Sequence, residues 1–509
     1  MSAAPGVSLS WLFDGILELP ANDARVEDLT LDSREVRPGS LFFALSGHKS
    51  HGLEFLDEAA ARGASVVLWD PEGADDAPRA DALRTRAGTT PVFTASVPGL
   101  RHLLGRIADR FFGWPSSHMR IVGITGTNGK TTSAYLLAQC LERLTGNAAY
   151  MGTIGWGRVD ALESATHTTP DVITLHRQLA KLRAAGVRAL AMEVSSHALD
   201  QGRVDAVRFE VAAFTNLTRD HLDYHPSMQA YGAAKERLFA FADLRHVVIN
   251  VGDEFGRGFA MRYRGRAPLT AVWVGAEPSG WLADRSLRVE EIALDLHGMT
   301  MTLGGSFGAT RVTTKLVGAF NAENSVVVLA SLLALDVTLA DATAALAACA
   351  APPGRLELIE PSSADKPSAV IDYAHTPDAL AKALGALRPH CAGDLWCVFG
   401  CGGDRDPGKR PLMGAVADEL ADRIIVTDDN PRSEDPPAIT RSIVDGITVH
   451  EARVIHDRGA AIATALGEAT VGDLVLIAGK GHEDYQIYGT TRRRFSDRTE
   501  ALRHLRAVA

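Results

Sequence analysis

The most constraining stretch of the chain is Ile121-Val122-Gly123-Ile124-Thr125, followed without a break by Gly126-Thr127-Asn128-Gly129-Lys130-Thr131-Thr132 and a helix-compatible run. A short apolar run that feeds a Gly-rich turn and then a helix opens a βα unit, so its sheet is expected to be mostly parallel. The turn also carries chemistry. Glycines let successive backbone N–H groups face one anion, the helix N-terminus adds positive potential, Lys130 neutralises phosphate charge, and Thr131 offers a hydroxyl to Mg²⁺. An ordinary strand-to-helix turn does not need glycines, lysine and threonine in this order. The spacing departs from the strict G-x4-G-K-[ST] loop, because Ile124 stands five residues before Gly129. Residues 126–132 therefore read as a shortened polyphosphate cradle.

Strands and helices alternate on both sides of this loop. Upstream, residues 40–45 and 64–69 are strand-like and residues 54–62 and 100–112 helical, which makes a small α/β domain. Strands are then expected at 120–125, 189–193, 211–216 and 246–250, with a long helix starting at Lys130. Between 287 and 317, alternating segments without helices predict an antiparallel β addition, closed by a helix from 321 to about 335. Pro352-Pro353-Gly354 breaks the pattern after an Ala-rich helix ending near Cys349. Beyond it, strands at 369–373, 395–400, 424–427 and 474–478, each followed by a helix-compatible stretch, predict a Rossmann-like domain. The expected fold class is α/β in three domains, 1–114, 115–350 and 351–509, a division that suits a chain of 509 residues.

Composition narrows the partners. Lys and Arg number 52 against 62 Asp and Glu, a net charge of −10 with no long basic run, so nucleic acid is not expected to bind. Five cysteines are too few for a disulfide scaffold and suit a reducing cytosol. The spacing of Cys391, Cys397 and Cys401 is not that of a zinc site, and core or loop packing is expected for the last two. No basic n-region opens the chain, and the longest apolar run, 326–335, is too short to span a bilayer. A cytoplasmic protein without membrane insertion, and a monomer, is the expectation.

Three further polar groups sit at predicted strand ends, where ligands bind in open parallel sheets. Residues 192–197 end one strand and place Glu193, an oxygen donor suited to Mg²⁺. Residues 216–225, rich in Asn, Asp and His, follow another. Asp428-Asp429-Asn430-Pro431-Arg432 follows a third, and its residue types would equally make a plain turn. Residues 231–239 have an amphipathic helical pattern, on which Lys235 reads as a surface charge.

Together these residues resemble the Mur ligase family, ATP-dependent enzymes that add amino acids in peptidoglycan synthesis. The carriers are GTNGKTT at 126–132, MEVSSHAL at 192–199, NLTRDHLDYH at 216–225, YGAAKERLF at 231–239, NAEN at 321–324 and DYAHTP at 372–377, in family order along the whole chain. Within the family the chain is most similar to the members that add the third peptide residue, through Leu31-Asp32-Ser33-Arg34 with Pro38-Gly39, Gly402-Gly403-Asp404-Arg405-Asp406 and Gly479-Lys480-Gly481-His482-Glu483. The resemblance implies that Lys235 is carbamylated, reversing the surface-lysine reading, and that Glu193 and His221 complete Mg²⁺ shells with it. It implies that Asn324, Arg355 and Asp372 join residues 126–132 in holding ATP between domains. It also implies that Leu31, Ser33, His48, Lys49 and Ser50 contact the UDP end, and Thr168, Thr169, Ser195, Gln201 and Arg203 the muramoyl-dipeptide. Two positions depart from the family: His167 stands where many relatives have Asn, and Ser50-His51-Gly52 replaces an Asp-Gly ending.

In this family Asp-Asn-Pro-Arg marks members that add meso-2,6-diaminopimelate. The chemistry agrees, since this substrate carries one carboxylate more than lysine and a guanidinium recognises carboxylate bidentately. The resemblance thus implies that Arg405 and Arg432 hold carboxylates, that Glu483 pairs with an ammonium, and that Asp429, Asn430, Pro431 and Gly479 shape the same site. The implied reaction joins meso-diaminopimelate to the D-Glu of UDP-N-acetylmuramoyl-L-alanyl-D-glutamate through an acyl phosphate, with ATP as co-substrate and Mg²⁺ as cofactor. The alternatives are a lysine-adding ligase, disfavoured by Arg432, a folylpolyglutamate synthase-like ligase, disfavoured by the segment at 31–34, and a nucleotide-binding regulator without turnover.

Overall fold

A computed structural model describes residues 6–19, 24–47, 50–74, 92–363 and 365–506. It is mixed α/β throughout and divides into two compact units. The first comprises residues 1–125, 147–212 and 221–244, the second residues 126–146, 213–220 and 245–509.

In the first unit, a parallel four-stranded sheet is built from Asp28–Thr30, Ser40–Ala44, Val66–Trp69 and Phe93–Ser96, in that order. Every residue of Ser40–Ala44 and Val66–Trp69 is buried, as expected for parallel strands covered on both faces. One face carries Leu29, Leu41, Phe43, Val66 and Leu68, and the other Phe42, Ala44, Val67 and Trp69. The unusual His51 acts here as a helix cap. Its Nδ1 accepts from the Leu53 N–H at 3.1 Å, which fixes the tautomer so that Nε2 donates to the Asp70 carbonyl at 3.0 Å. That is the work an Asp side chain would do at this position, with a second bond added. A second set of parallel strands in this unit runs Ala148–Gly152, Ala189–Glu193, Arg120–Thr125, extended by the antiparallel Gly155–Arg158 and Ala161–Glu163.

In the second unit, His246–Asn250, Leu269–Val274 and Arg285–Asp295 run parallel, and Gly298–Gly305 and Thr310–Thr314 continue the sheet antiparallel, as the alternation between 287 and 317 predicted. Helix Lys130–Thr145 begins at the expected residue and packs on Asn321–Ala334 and Leu339–Ala347. A six-stranded sheet is ordered Glu357–Ile359, Ser368–Asp372, Leu474–Ala478, Leu395–Phe399, Arg423–Val426, Ala452–Val454, antiparallel only at its first pair. Cys397 and Cys401 are buried in its core, and burial pushes the Cys401 thiol up to about 12. Strand order reverses around Leu474–Ala478, so the loops leaving its carboxyl end and those of its neighbours converge.

Candidate active site

The phosphate loop shows why its glycines stand where they do. Gly126 has φ 153°, and a Cβ there would collide with Thr215 Oγ1; Gly129 has φ 81°, and a Cβ there would collide with Asn324 Oδ1. On the Thr215 side the close approach is accompanied by hydrogen bonds to the loop. Thr127 and Asn128 donate their N–H groups to the carbonyl and side-chain oxygens of Asn216 at 2.8 and 2.9 Å. Thr215 Oγ1 donates to the Asn128 carbonyl at 2.7 Å. These two residues leave the sheet to hold the loop, which is why the strand expected to reach 216 stops at Phe214. Lys130 Nζ donates to the Gly126 and Thr127 carbonyls at 2.9 and 2.8 Å, so the ammonium lies under the loop's own turn.

Beside the loop lies a cavity of about 840 Å³ lined by Asn128, Gly129, Thr132, Asn324, Arg355 and Asp372 among others. Five sequence-predicted nucleotide residues from distant parts of the chain therefore face one space with Gly129. Asn324 is locked from behind, donating from Nδ2 to Asn321 Oδ1 at 2.8 Å. Asp372 accepts the N–H groups of Leu356 and Ala374, each at 2.8 Å, while burial pushes its carboxyl above the ordinary range. Arg355 lies over the Tyr373 ring at 5.2 Å, and its buried Nε has no hydrogen-bond partner among the described residues. Asn250, Asp253 and Glu323 also line the cavity, and sequence reasoning did not single them out. Asn250 donates to Glu323 Oε2 at 3.2 Å, and Asp253 accepts from the Leu217 N–H at 3.0 Å. The available signal was the position of Asn250 at the carboxyl end of a predicted strand.

Three loops of the six-stranded sheet meet at a second site in the same unit. Arg432, at φ 53°, donates from Nη1 to the Gly403 carbonyl at 2.7 Å, and the Gly403 N–H donates to the Asn430 carbonyl at 2.9 Å. Asn430 Nδ2 donates to Glu483 Oε2 at 3.0 Å. A Cβ on Gly402 would stand 2.8 Å from Arg432 Nη1 and 3.9 Å from Arg405 Cγ, so both arginines flank that glycine. Gly479 has φ 116°, and a Cβ there would stand 2.9 Å from Asp429 Oδ2. Asp428, Asp429, Asn430 and Pro431 are buried, which excludes the plain solvated turn. Gln486 and Lys480, which sequence reasoning left unassigned, bind this segment: Gln486 Nε2 donates to the Asp428 and Asp429 carbonyls at 3.2 and 3.0 Å.

In the first unit, Glu193 is fully buried at its strand end and accepts from the Tyr150 hydroxyl, the Thr153 N–H at 2.9 Å and Thr153 Oγ1 at 3.2 Å. Thr168 Oγ1 is 3.1 Å from Thr153 Oγ1, and Thr169 Oγ1 donates to the Glu193 carbonyl at 2.9 Å. Ser195 caps helix Ser196–Asp200. Arg203 donates from Nε and Nη2 to Gln201 Oε1 at 2.9 and 2.6 Å and from Nη1 to the Thr169 carbonyl at 3.0 Å. These dipeptide candidates therefore form one connected set. His221, at φ 52°, packs edge-on to His197 with centroids 4.9 Å apart, and burial, helped by His221, holds the His197 imidazole below its ordinary pKa.

Lys235 overturns the surface-charge expectation. Helix Met228–Glu236 packs against Ser196–Asp200, leaving Lys235 only 1% exposed with Nζ 4.4 Å from the Tyr231 ring centroid. Of the UDP candidates, Ser33 is buried and donates to Glu58 Oε2 at 2.8 Å, and Leu31 and Ser50 are half-buried. His48 and Lys49 lie outside the described residues. Among the described residues no three His, Cys, Asp or Glu side chains are grouped as a metal cage, and no helix is long and apolar enough to cross a membrane.

Comparison with known proteins places these sites in a family. The Mur ligase family catalytic domain matches residues 25–112, the Mur ligase middle domain residues 124–332, and the Mur ligase glutamate ligase domain residues 354–481. The UDP-N-acetylmuramoyl-L-alanyl-D-glutamate--2,6-diaminopimelate ligase of Ectopseudomonas mendocina is 46% identical over 492 residues, 96% of this chain and 97% of that protein. The enzyme of the same name from Pseudomonas aeruginosa is 46% identical over 95% of this chain and 96% of its own length. A solved structure of a ligase of that name superposes with a TM-score of 0.72 at 33% identity, covering 98% of this chain and 99% of the other. The chain belongs to the Mur ligase family.

Proposed function

We propose that this chain is an ATP-dependent ligase that joins meso-2,6-diaminopimelate to the D-Glu carboxylate of UDP-N-acetylmuramoyl-L-alanyl-D-glutamate in peptidoglycan synthesis, a cytoplasmic reaction. The observation that carries the choice of amino acid is the meeting of Arg432, Gly403, Asn430 and Glu483 in one hydrogen-bonded cluster. Two guanidinium groups and a carboxylate suit a substrate with two carboxylates and two ammonium groups. Lysine would leave one guanidinium without its partner, a loss that discriminates strongly at a polar site.

Residues 1–114 are assigned to the UDP-sugar, 115–350 to ATP and 351–509 to the incoming amino acid. The D-Glu carboxylate attacks the γ-phosphorus of ATP and ADP leaves; an amine of the diamino acid then attacks the acyl phosphate, losing a proton as phosphate departs. Lys130 and the N–H groups of residues 126–132 offset the charge that gathers on the phosphates. Arg203 and its Gln201 and Thr169 partners orient the dipeptide, and Asn324, Arg355 and Asp372 hold the nucleotide. The donors fit Mg²⁺, which needs only one or two carboxylates beside substrate phosphates and water. Thr131 would hold one ion with ATP, and Glu193, His221 and Lys235 as its carbamate another. When bound, the metal supplies neutralisation of phosphoryl charge.

Carbamylation would suit this buried lysine, because it replaces the ammonium by an anion whose two oxygens can be paired with a bound Mg²⁺. In ¹³C-bicarbonate, native protein is expected to give a carbamate carbon resonance that Lys235→Ala lacks; its absence from active wild type would remove the modification from the account. Phosphate release tests the reaction as a whole. It is expected only with UDP-muramoyl-dipeptide, ATP and diaminopimelate together, and equal release with lysine would overturn the assignment to diaminopimelate.

A further inference from the structure

Lys480 has no exposed side-chain surface, although it lies in a loop between two glycines. A lysine ammonium withdrawn from water is costly unless paired and hydrogen-bonded. Its Nζ is 3.0 Å from Glu483 Oε2 and 3.3 Å from Asn430 Oδ1, and Asn430 Nδ2 donates to the same Glu483 oxygen at 3.0 Å. The three groups close a ring, and two of them belong to the amino-acid site proposed above.

The loop backbone is fixed without this ammonium. Gly479 N–H donates to the Asp372 carbonyl at 3.1 Å and Glu483 N–H to the Lys480 carbonyl at 3.0 Å. Behind the loop, the fully buried Arg458 binds both oxygens of Asp497 at 2.7 and 2.8 Å and donates to the carbonyl of Ala478, the residue before Gly479, at 2.9 Å. What Lys480 adds is therefore side-chain orientation. It and Arg458 also draw down the Asp429 carboxyl, which burial pushes up. Asn430 binds in a second direction, accepting the Ile487 N–H at 3.0 Å, so an amide turned the wrong way would break three bonds at once.

We propose that Lys480 is a positioning residue for the incoming diamino acid, its buried ammonium engaging Oε2 of Glu483 and the Asn430 amide so that Oε1 of Glu483 is presented to the substrate ammonium. The inference rests on the functional reading above. In that reading Lys480 touches neither the reacting atoms nor ATP, so its effect falls on one substrate alone.

Steady-state kinetics with each substrate varied in turn tests this. Lys480→Met is expected to raise the KM for diaminopimelate about tenfold or more while the KM for ATP changes by less than about twofold, because a partner of a buried charge pair has been removed at one site only. In a Glu483→Gln background the same substitution is expected to add little, since the group it orients is already gone. An unchanged diaminopimelate KM, equal rises for both substrates, or fully additive effects with Glu483→Gln would each overturn the proposal. If Lys480→Met does not fold, Lys480→Gln, which keeps a donor toward Glu483 but not the charge, carries the same test. Wild type that does not use diaminopimelate would overturn the functional reading instead, so the two failures are distinguishable.

Discussion

Lys130→Ala is expected to all but abolish ATP-dependent amide formation, with kcat falling by about 10²- to 10³-fold, the scale seen when one preorganised charge-stabilising group is removed. Two consequences of the geometry add up. The ammonium belongs to the cradle formed by residues 126–132, and it also ties the Gly126 and Thr127 carbonyls from beneath at 2.9 and 2.8 Å. Its loss removes positive charge from the phosphates and frees a turn whose N–H groups must converge on them. The unfolding midpoint should move little, because Asn216 and Thr215 still hold the loop from the other side. Near-normal phosphate release by a folded Lys130→Ala protein would contradict the assigned role.

Arg432→Ala is expected to raise the KM for diaminopimelate by roughly 30- to 700-fold, corresponding to about 2–4 kcal/mol for one partner of a desolvated charge pair. The ATP KM should stay near its wild-type value. Arg432 is held by its own unusual backbone, at φ 53°, with its N–H donating to the Ile487 carbonyl at 3.0 Å and its guanidinium to the Gly403 carbonyl. The guanidinium is thus placed before substrate arrives, and little affinity is spent on ordering it. Lysine, which lacks the second carboxylate, should be affected far less, so the variant should lose discrimination as well as affinity. A diaminopimelate KM unmoved by the substitution would remove Arg432 from the site.

Where periodicity and turn chemistry act locally, the sequence was sufficient. Strands Arg120–Thr125 and Leu474–Ala478 begin and end, and helix Lys130–Thr145 begins, where their patterns predict, because an apolar run bounded by Gly or charged residues has one economical conformation. Lys235 reads as a surface residue only because it is charged, and the physical reason is plain. Residues 231, 232, 234, 235, 238 and 239 are buried while 229, 233 and 237 are exposed, so Lys235 lies on the buried stripe itself; its charge argues for the surface, and only the family motif points to the buried environment. Asp428 to Asn430 look like a turn by residue type, and their burial depends on Gln486 from a distant segment. Lys480 shows the same limit. Nothing between two glycines announces a buried ammonium, because its partners Asn430 and Glu483 come together only through tertiary structure. Asn250 and Glu323 also enter the nucleotide cavity through a contact between residues 73 positions apart.

Everything proposed for the site at Arg405, Arg432 and Glu483 turns on which amino acid is joined to the muramoyl-dipeptide. The most direct test is the mass of the product formed by purified protein from UDP-N-acetylmuramoyl-L-alanyl-D-glutamate, ATP and an equimolar mixture of meso-diaminopimelate and lysine. A nucleotide product bearing diaminopimelate is expected, with the lysine adduct a minor species. A predominant lysine adduct, or ATP hydrolysis with no amide product, would contradict it.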